Sequence, residues 1–333
     1  MNGKIKMLAG TAGKQMVTDM LGNAMLRTMV DPASYLVGRH KDGEVKVELE
    51  SEGQAGNVRG MDVFIVNPIT PPAENLIELL LLIDAVKRSS ADRITAVIPY
   101  LGYNRQERKH KSRVPVSAKV IQRQIADSGA DRVLVCDLHS EATLSNFDPL
   151  GQDEIYVSRL AVPYLKGLLL ELDEPFIVVS PDTGGTKRAS KYARLLGQQG
   201  YAVFDKGERP DAGKLGDDML VIGDIKDKHV LIVDDIIDSG GTIALAAKVA
   251  KREGAKSVTV FAAHAVFSGD AVGTLDTCEA LDRVVVTDTI RHDPERLATK
   301  RLKKITVLST GQLFAEAILR IHIGQSISEM IPT

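Results

Sequence analysis

The stretch from His229 to Ile243, HVLIVDDIIDSGGTI, constrains this chain more than any other. Val230 to Val233 are apolar, β-branched or branched, and few in number, the signature of a parallel strand buried on both faces. Ala244 to Glu253 is rich in Ala and Lys with no internal Gly or Pro, so a helix is predicted there. Asp238, Ser239, Gly240, Gly241 and Thr242 must then form a strand-to-helix turn at the carboxyl edge of a sheet. Glycines let the backbone approach an anion, successive N–H groups and the Thr242 hydroxyl can donate to phosphate oxygens, and a helix N-terminus adds partial positive charge. Asp234 and Asp235, expected at the strand's end, can accept from two adjacent hydroxyls. A diol beside a phosphate suggests ribose 5-phosphate. Simple helix capping would need one polar residue, not two acids and a Gly-Gly-Thr loop.

A second unit repeats the device. Phe176 to Val179 reads as a strand and runs into Ser180-Pro181-Asp182-Thr183-Gly184-Gly185-Thr186-Lys187-Arg188-Ala189, another glycine turn opening a helix. Further strands are predicted at Val45 to Leu49, Met61 to Val66, Arg93 to Pro99, Arg132 to Cys136, Val258 to Ala262, Val284 to Thr287 and Ile305 to Leu308. Helices are predicted from near Lys14 to about Leu26, over Glu74 to Arg88 and over Gln312 to Ile323. Strands alternating with helices mean parallel sheets wrapped by helices. A chain of 333 residues has room for two such domains.

Composition excludes several classes. Charged residues are 26% of the chain and the net charge is −2 with no long run of one sign, which argues against nucleic-acid and membrane-surface partners. Only two cysteines occur, so neither a disulfide framework nor a zinc cluster is expected, and a reducing cytoplasm fits. The most apolar stretch, Leu76 to Val86, is interrupted by Glu78 and Asp84 and is too short to span a bilayer.

Other segments bear on chemistry. Gly10-Thr11-Ala12-Gly13-Lys14-Gln15 resembles a phosphate loop only superficially, since Leu8 stands where its first Gly belongs and Gln15 where Ser or Thr should follow the Lys. Gly38 to Glu44 forms a turn carrying Asp42 and Glu44, and the Asp42-Gly43 pair signals a hairpin. Tyr100 to Lys111 offers five basic side chains and two tyrosines, able to clamp phosphates and contact a base. Asp137-Leu138-His139 follows a strand and could ligate a divalent cation, although such a pair is more often structural. Asp205 to Asp218, with three glycines and a proline, reads as a mobile loop.

Taken in order, DGEV at Asp42 to Val45, IPYLGYNRQERK ending at Lys109, DLH at Asp137 to His139, SPDTGG at Ser180 to Gly185 and VDDIIDSGGT resemble the ribose-phosphate pyrophosphokinase family over nearly the whole chain. The resemblance implies two phosphoribosyltransferase-like α/β domains, each a mainly parallel sheet flanked by helices. An ATP-side domain is expected over residues 1–155, a ribose 5-phosphate domain over 156–310, and a terminal helix within 311–333 packed back on the first. It implies transfer of the diphosphoryl group of ATP to ribose 5-phosphate, with Mg2+ and in a homo-oligomer, a dimer or hexamer. Carried over, Asp234, Asp235, Asp238, Ser239, Gly240, Gly241 and Thr242 hold ribose 5-phosphate. His40, Asp42, Glu44, Arg105 and Gln106 hold ATP, and His139 and Asp182 lie at the metal. Lys206 and Arg209 of the mobile loop close over the transferred phosphates. Two departures stand out: His40 replaces the family's usual Phe, and the Lys206 to Pro210 segment is one residue longer with Glu208 inserted. Two alternatives share the motifs, a non-catalytic regulatory paralogue and the same transfer to a larger acceptor such as ADP-ribose.

Overall fold

A computed structural model describes residues 4–50, 56–205, 219–293, 297 and 304–331. The chain divides into two compact units, Met1–Tyr156 with Ser309–Ile331, and Val157–Leu308.

The first unit contains β1 (Ile5–Ala9), α1 (Lys14–Met20), α2 (Ala24–Met29), β2 (Val30–Asp31), β3 (Tyr35–Arg39), β4 (Val45–Leu49), β5 (Asp62–Val66), α3 (Glu74–Arg88), β6 (Arg93–Ile98), α4 (Ser117–Asp127), β7 (Arg132–Cys136) and β8 (Gly151–Ile155). Its sheet has the order β2-β1-β5-β6-β7-β8, and every pairing in it is parallel. β1 and β5 are buried at every position, as expected of strands covered on both faces. α3 lays Leu76, Leu79, Leu82, Ile83 and Val86 against that sheet at helical spacing, with Glu74 in its first turn and Lys87 and Arg88 in its last, matching the helix dipole. β3 and β4 form a separate antiparallel hairpin.

The second unit contains α5 (Ser158–Leu170), β9 (Phe176–Ser180), α6 (Thr186–Leu195), β10 (Tyr201–Asp205), β11 (Leu220–Ile222), β12 (His229–Ile237), α7 (Gly241–Arg252), β13 (Ser257–Ala265), α8 (Ala271–Thr277), β14 (Arg283–Thr287) and β15 (Ile305–Leu308). Its sheet runs β11-β10-β9-β12-β13-β14-β15, and only the edge pair β10 and β11 is antiparallel. Ile232, Val230, Ala246, Ala247, Val258, Val260, Val284 and Phe267 join the core between sheet and helices. The terminal helix α9 (Gly311–Ile323) belongs to the first unit. There His322 Nδ1 lies 2.7 Å from Asp62 Oδ2 and the Arg93 guanidinium donates to the Ile321 carbonyl at 3.1 Å.

Two sequence expectations change. The helix expected to reach Leu26 breaks into α1 and α2, because Asn23 accepts the Leu26 N–H at 3.1 Å and starts a new helix. Gly13 is explained by packing, since a Cβ there would lie 2.0 Å from the Val66 carbonyl oxygen. The central strand does not end at Val233: β12 continues to Ile237, so Asp234 and Asp235 stand within it. The neighbouring β13 is equally long and supplies the extra ladder partners, pairing Asp234 with Ala262 and Ile236 with His264.

Candidate functional site

β12 delivers Asp234 and Asp235 to the site, and the chain then turns through Asp238 and Ser239 into α7. The turn depends on Gly240, whose φ of +78° is a left-handed conformation and whose absent Cβ would lie 3.1 Å from Leu275 Cγ. Gly240 is the N-cap of α7 and no side chain caps the helix there. Asp238 instead takes the Ser268 hydroxyl on its Oδ1, and its carbonyl accepts the Ser268 N–H at 3.1 Å. The first N–H groups of a helix have no partner within the helix itself, so this turn presents backbone donors of the kind that can receive an anion. Ser239 is exposed, and Gly241 and Thr242 are half-buried at the mouth of the turn.

Asp235 is buried and Asp234 half-buried. The Asp235 N–H donates to Asp234 Oδ1 at 2.9 Å. Arg188, from the first turn of α6, places one guanidinium nitrogen 3.4 Å from Asp234 Oδ1 and 3.2 Å from Asp235 Oδ1. Burial, and then the neighbouring charge of Asp235, push the Asp234 carboxyl well above the ordinary carboxylate range, and Arg188 opposes them. Asp182 sits at the end of β9 and caps the following turn, its Oδ1 accepting the Gly185 N–H at 3.1 Å.

In the first unit, His40, Asp42 and Glu44 form the exposed tip of the β3–β4 hairpin. The tip is closed by His40 N–H donating to the Glu44 carbonyl at 2.8 Å and by Glu44 N–H donating to Asp42 Oδ1 at 3.0 Å. Arg105 and Gln106 are exposed on the loop after β6. Gln106 Oε1 accepts the Ser117 hydroxyl at 2.5 Å, which leaves its NH2 as the donor toward a ligand. His139 is exposed beyond β7. The turn that carries it is held from behind by Glu154 on β8, whose Oε1 accepts the Leu138 N–H at 2.7 Å. The Tyr156 hydroxyl donates to Glu154 Oε2 at 3.3 Å and to Glu141 Oε1 at 3.2 Å. Burial, joined by the charges of Asp137 and Glu141, raises Glu154 to about 7 against the pull of the Leu138 N–H.

The structure thus brings Asp234, Asp235 and the Asp238 to Thr242 turn together on one strand-turn-helix unit. Arg105 and Gln106 stand together on one loop, and the hairpin tip is a separate element. Lys206 and Arg209 lie outside the described residues, as does nearly all of the loop expected over Asp205 to Asp218. No group of three or more His, Cys, Asp or Glu poised to hold a metal occurs among the described residues. Among the described residues no helix is long and apolar enough to cross a membrane. Sequence reasoning missed Arg188 and Glu154. Arg188 follows a glycine turn that was visible, but Glu154 left no local signal, because its partner Leu138 lies on a neighbouring strand's exit.

Residues 5–129 match the family model described as the N-terminal domain of ribose phosphate pyrophosphokinase, and residues 209–331 match the phosphoribosyl synthetase-associated domain. The chain is 46% identical over 297 residues to a ribose-phosphate pyrophosphokinase of Pasteurella multocida, covering 88% of this chain and 90% of that one. It is 42% identical over 328 residues to that of Haemophilus ducreyi, covering 98% of both. The fold is similar to the crystal structure of phosphoribosylpyrophosphate synthetase from Mycobacterium smegmatis, with a TM-score of 0.85, 32% identity, and 96% of this chain and 99% of that chain covered. The strand-turn-helix seat, the two α/β units and these near full-length similarities converge: this chain belongs to the ribose-phosphate pyrophosphokinase family.

Proposed function

We propose that this protein transfers the diphosphoryl group of ATP to the C1 hydroxyl of ribose 5-phosphate, giving phosphoribosyl pyrophosphate and AMP. The C1 oxygen attacks the β-phosphorus, the bond from that phosphorus to the oxygen bridging to the α-phosphate breaks, AMP departs with that oxygen, and the hydroxyl proton passes to solvent. The observation that carries the reading is the uncapped Gly240 to Thr242 turn at the head of α7, preceded on the same strand by two carboxylates. The turn would bind the 5-phosphate while Asp234 and Asp235 accept from the ribose hydroxyls.

Arg105 and Gln106 are assigned to ATP, with the hairpin residues His40, Asp42 and Glu44 as further nucleotide contacts. Lys206 and Arg209 would place positive charge against the migrating group, where phosphoryl transfer gains most from positioning and electrostatics. Mg2+ would neutralise phosphate charge when bound. Its chemistry fits a hard carboxylate such as Asp182 together with substrate phosphates and water, and His139 is the proposed residue on the nucleotide side. No covalent nucleophile is needed. A cytoplasmic homo-oligomer is the proposed setting, in keeping with two buried free thiols.

The test is AMP release by purified protein with ATP, Mg2+ and ribose 5-phosphate, with phosphoribosyl pyrophosphate measured in parallel. Equal amounts of both products are expected. Absence of AMP with ribose 5-phosphate, while ADP-ribose or no acceptor at all is used, would overturn the assignment.

A further inference from the structure

Two adjacent carboxylates on one strand, one of them buried, repel each other. A vicinal diol donates two hydrogen bonds, so it is held best when both carboxylates are ionised and both accept. The charge that makes this possible must come from nearby. β9, which pairs with β12 on one side, has no titratable side chain between Phe176 and Ser180. β13, on the other side, has His264, which is buried and whose Nδ1 is paired with the Thr289 hydroxyl at 2.8 Å. On α6, Lys187 and Arg194 are exposed, Lys191 is half-buried and engaged in an interaction of its own, and Tyr192 packs on Phe261 with ring centroids 5.4 Å apart. Arg188 alone among the described ion pairs reaches both acids, through one nitrogen 3.4 Å and 3.2 Å from their Oδ1 atoms.

We infer that Arg188 is the counter-ion that favours the doubly ionised state of Asp234 and Asp235, and so makes the pair a better acceptor for a vicinal diol. It is a positioning residue acting through the two acids, and the inference rests on the reading that the ribose hydroxyls bind there. The guanidinium suits this task because it stays protonated at any working pH and its planar fork can serve two carboxylates at once. A cation at this distance lowers a carboxylate by about 1–3 pH units, and each unit removed changes the ionised fraction below the midpoint about tenfold.

The experiment measures KM for ribose 5-phosphate, KM for ATP and kcat from pH 6.5 to 9.5 in the wild type, Arg188→Gln and Arg188→Lys, with Asp234→Asn and Asp235→Asn alongside. Arg188→Gln should raise KM for ribose 5-phosphate by about tenfold or more at pH 7, leave KM for ATP unchanged, and recover as the pH rises and the acids ionise without help. Arg188→Lys should restore most of the loss at pH 7, because it keeps the charge. An equal loss at every pH would overturn the inference and make Arg188 a direct substrate contact. Unchanged acceptor KM in Arg188→Gln with raised KM in both Asp variants would also overturn it while sparing the site. Unchanged acceptor KM in the Asp variants would instead remove the ribose site itself. Thermal melts of the variants in the absence of substrate separate misfolding from these outcomes, and Arg188→Lys carries the test if Arg188→Gln melts early.

Discussion

Replacing Glu154 by Gln should stabilise the protein at alkaline pH and do nothing at mildly acidic pH. Glu154 is 9% exposed, and its carboxyl is raised from 4.5 to about 7 by burial and by the charges of Asp137 and Glu141. Between those two values the folded protein holds a proton that the unfolded chain has lost, so stability falls as pH rises through this window and is level above it. The interval of roughly 2.5 units corresponds to about 3 kcal/mol at pH 8, an upper bound because the unfolded chain is not fully solvated. Gln cannot ionise, yet its carbonyl can still accept the Leu138 N–H and its NH2 can donate to Glu141 or the Tyr156 oxygen. At pH 4.5 the variant and the wild type should therefore melt together. By pH 8 the variant should melt higher by roughly 6–12 °C in the transition of the first unit, taking about 2–4 °C per kcal/mol for a domain of this size. The assay is calorimetry from pH 4.5 to 8.5 without nucleotide. A difference independent of pH, or a variant less stable at pH 8, would show that folding does not raise the Glu154 carboxyl above its unfolded value and would refute the argument.

Asp234→Asn and Asp235→Asn should each weaken ribose 5-phosphate use by roughly tenfold to a hundredfold in KM, the worth of about 1.5–3 kcal/mol for a hydrogen bond to a charged group, with KM for ATP preserved. Gly240→Ala should cost about 1–2 kcal/mol from the left-handed backbone, with added crowding against Leu275, and should raise KM for ribose 5-phosphate; chemical denaturation and steady-state kinetics read the two effects. Lys206→Ala should lower kcat by roughly a hundredfold to a thousandfold with ATP affinity nearly intact, the usual loss of one transition-state charge partner; equal rates would place the catalytic cation elsewhere.

Much of the fold is legible in the sequence. β4, α3, β7 and β15 fall on the residues the sequence pattern assigns, because each is bounded by local punctuation such as Asp42-Gly43 or Pro71-Pro72 and carries its own period. The site's ingredients were legible for the same reason: strand, two acids, glycine turn and helix are contiguous in sequence. The length of β12 was not. Its last residues become strand only because β13 offers them ladder partners, and hydrogen bonding between strands is decided by the sheet rather than by the segment. The edge strands β10 and β11 escaped notice likewise, since they pair across a long connection.

What the chain alone determined, then, is which residues carry the donors, acceptors and flexible backbone that the proposed phosphate, diol and nucleotide contacts would use, since hydrogen-bonding type and local backbone freedom are properties of residues and their immediate neighbours. Tertiary structure decided their charge states and support. Arg188 meets Asp234 and Asp235 only because α6 packs beside β12, and Glu154 holds the Leu138 turn only because β8 lies next to β7. Burial and the placement of charges from distant segments set whether a carboxylate is ionised, and both arise only when those segments are brought together by folding.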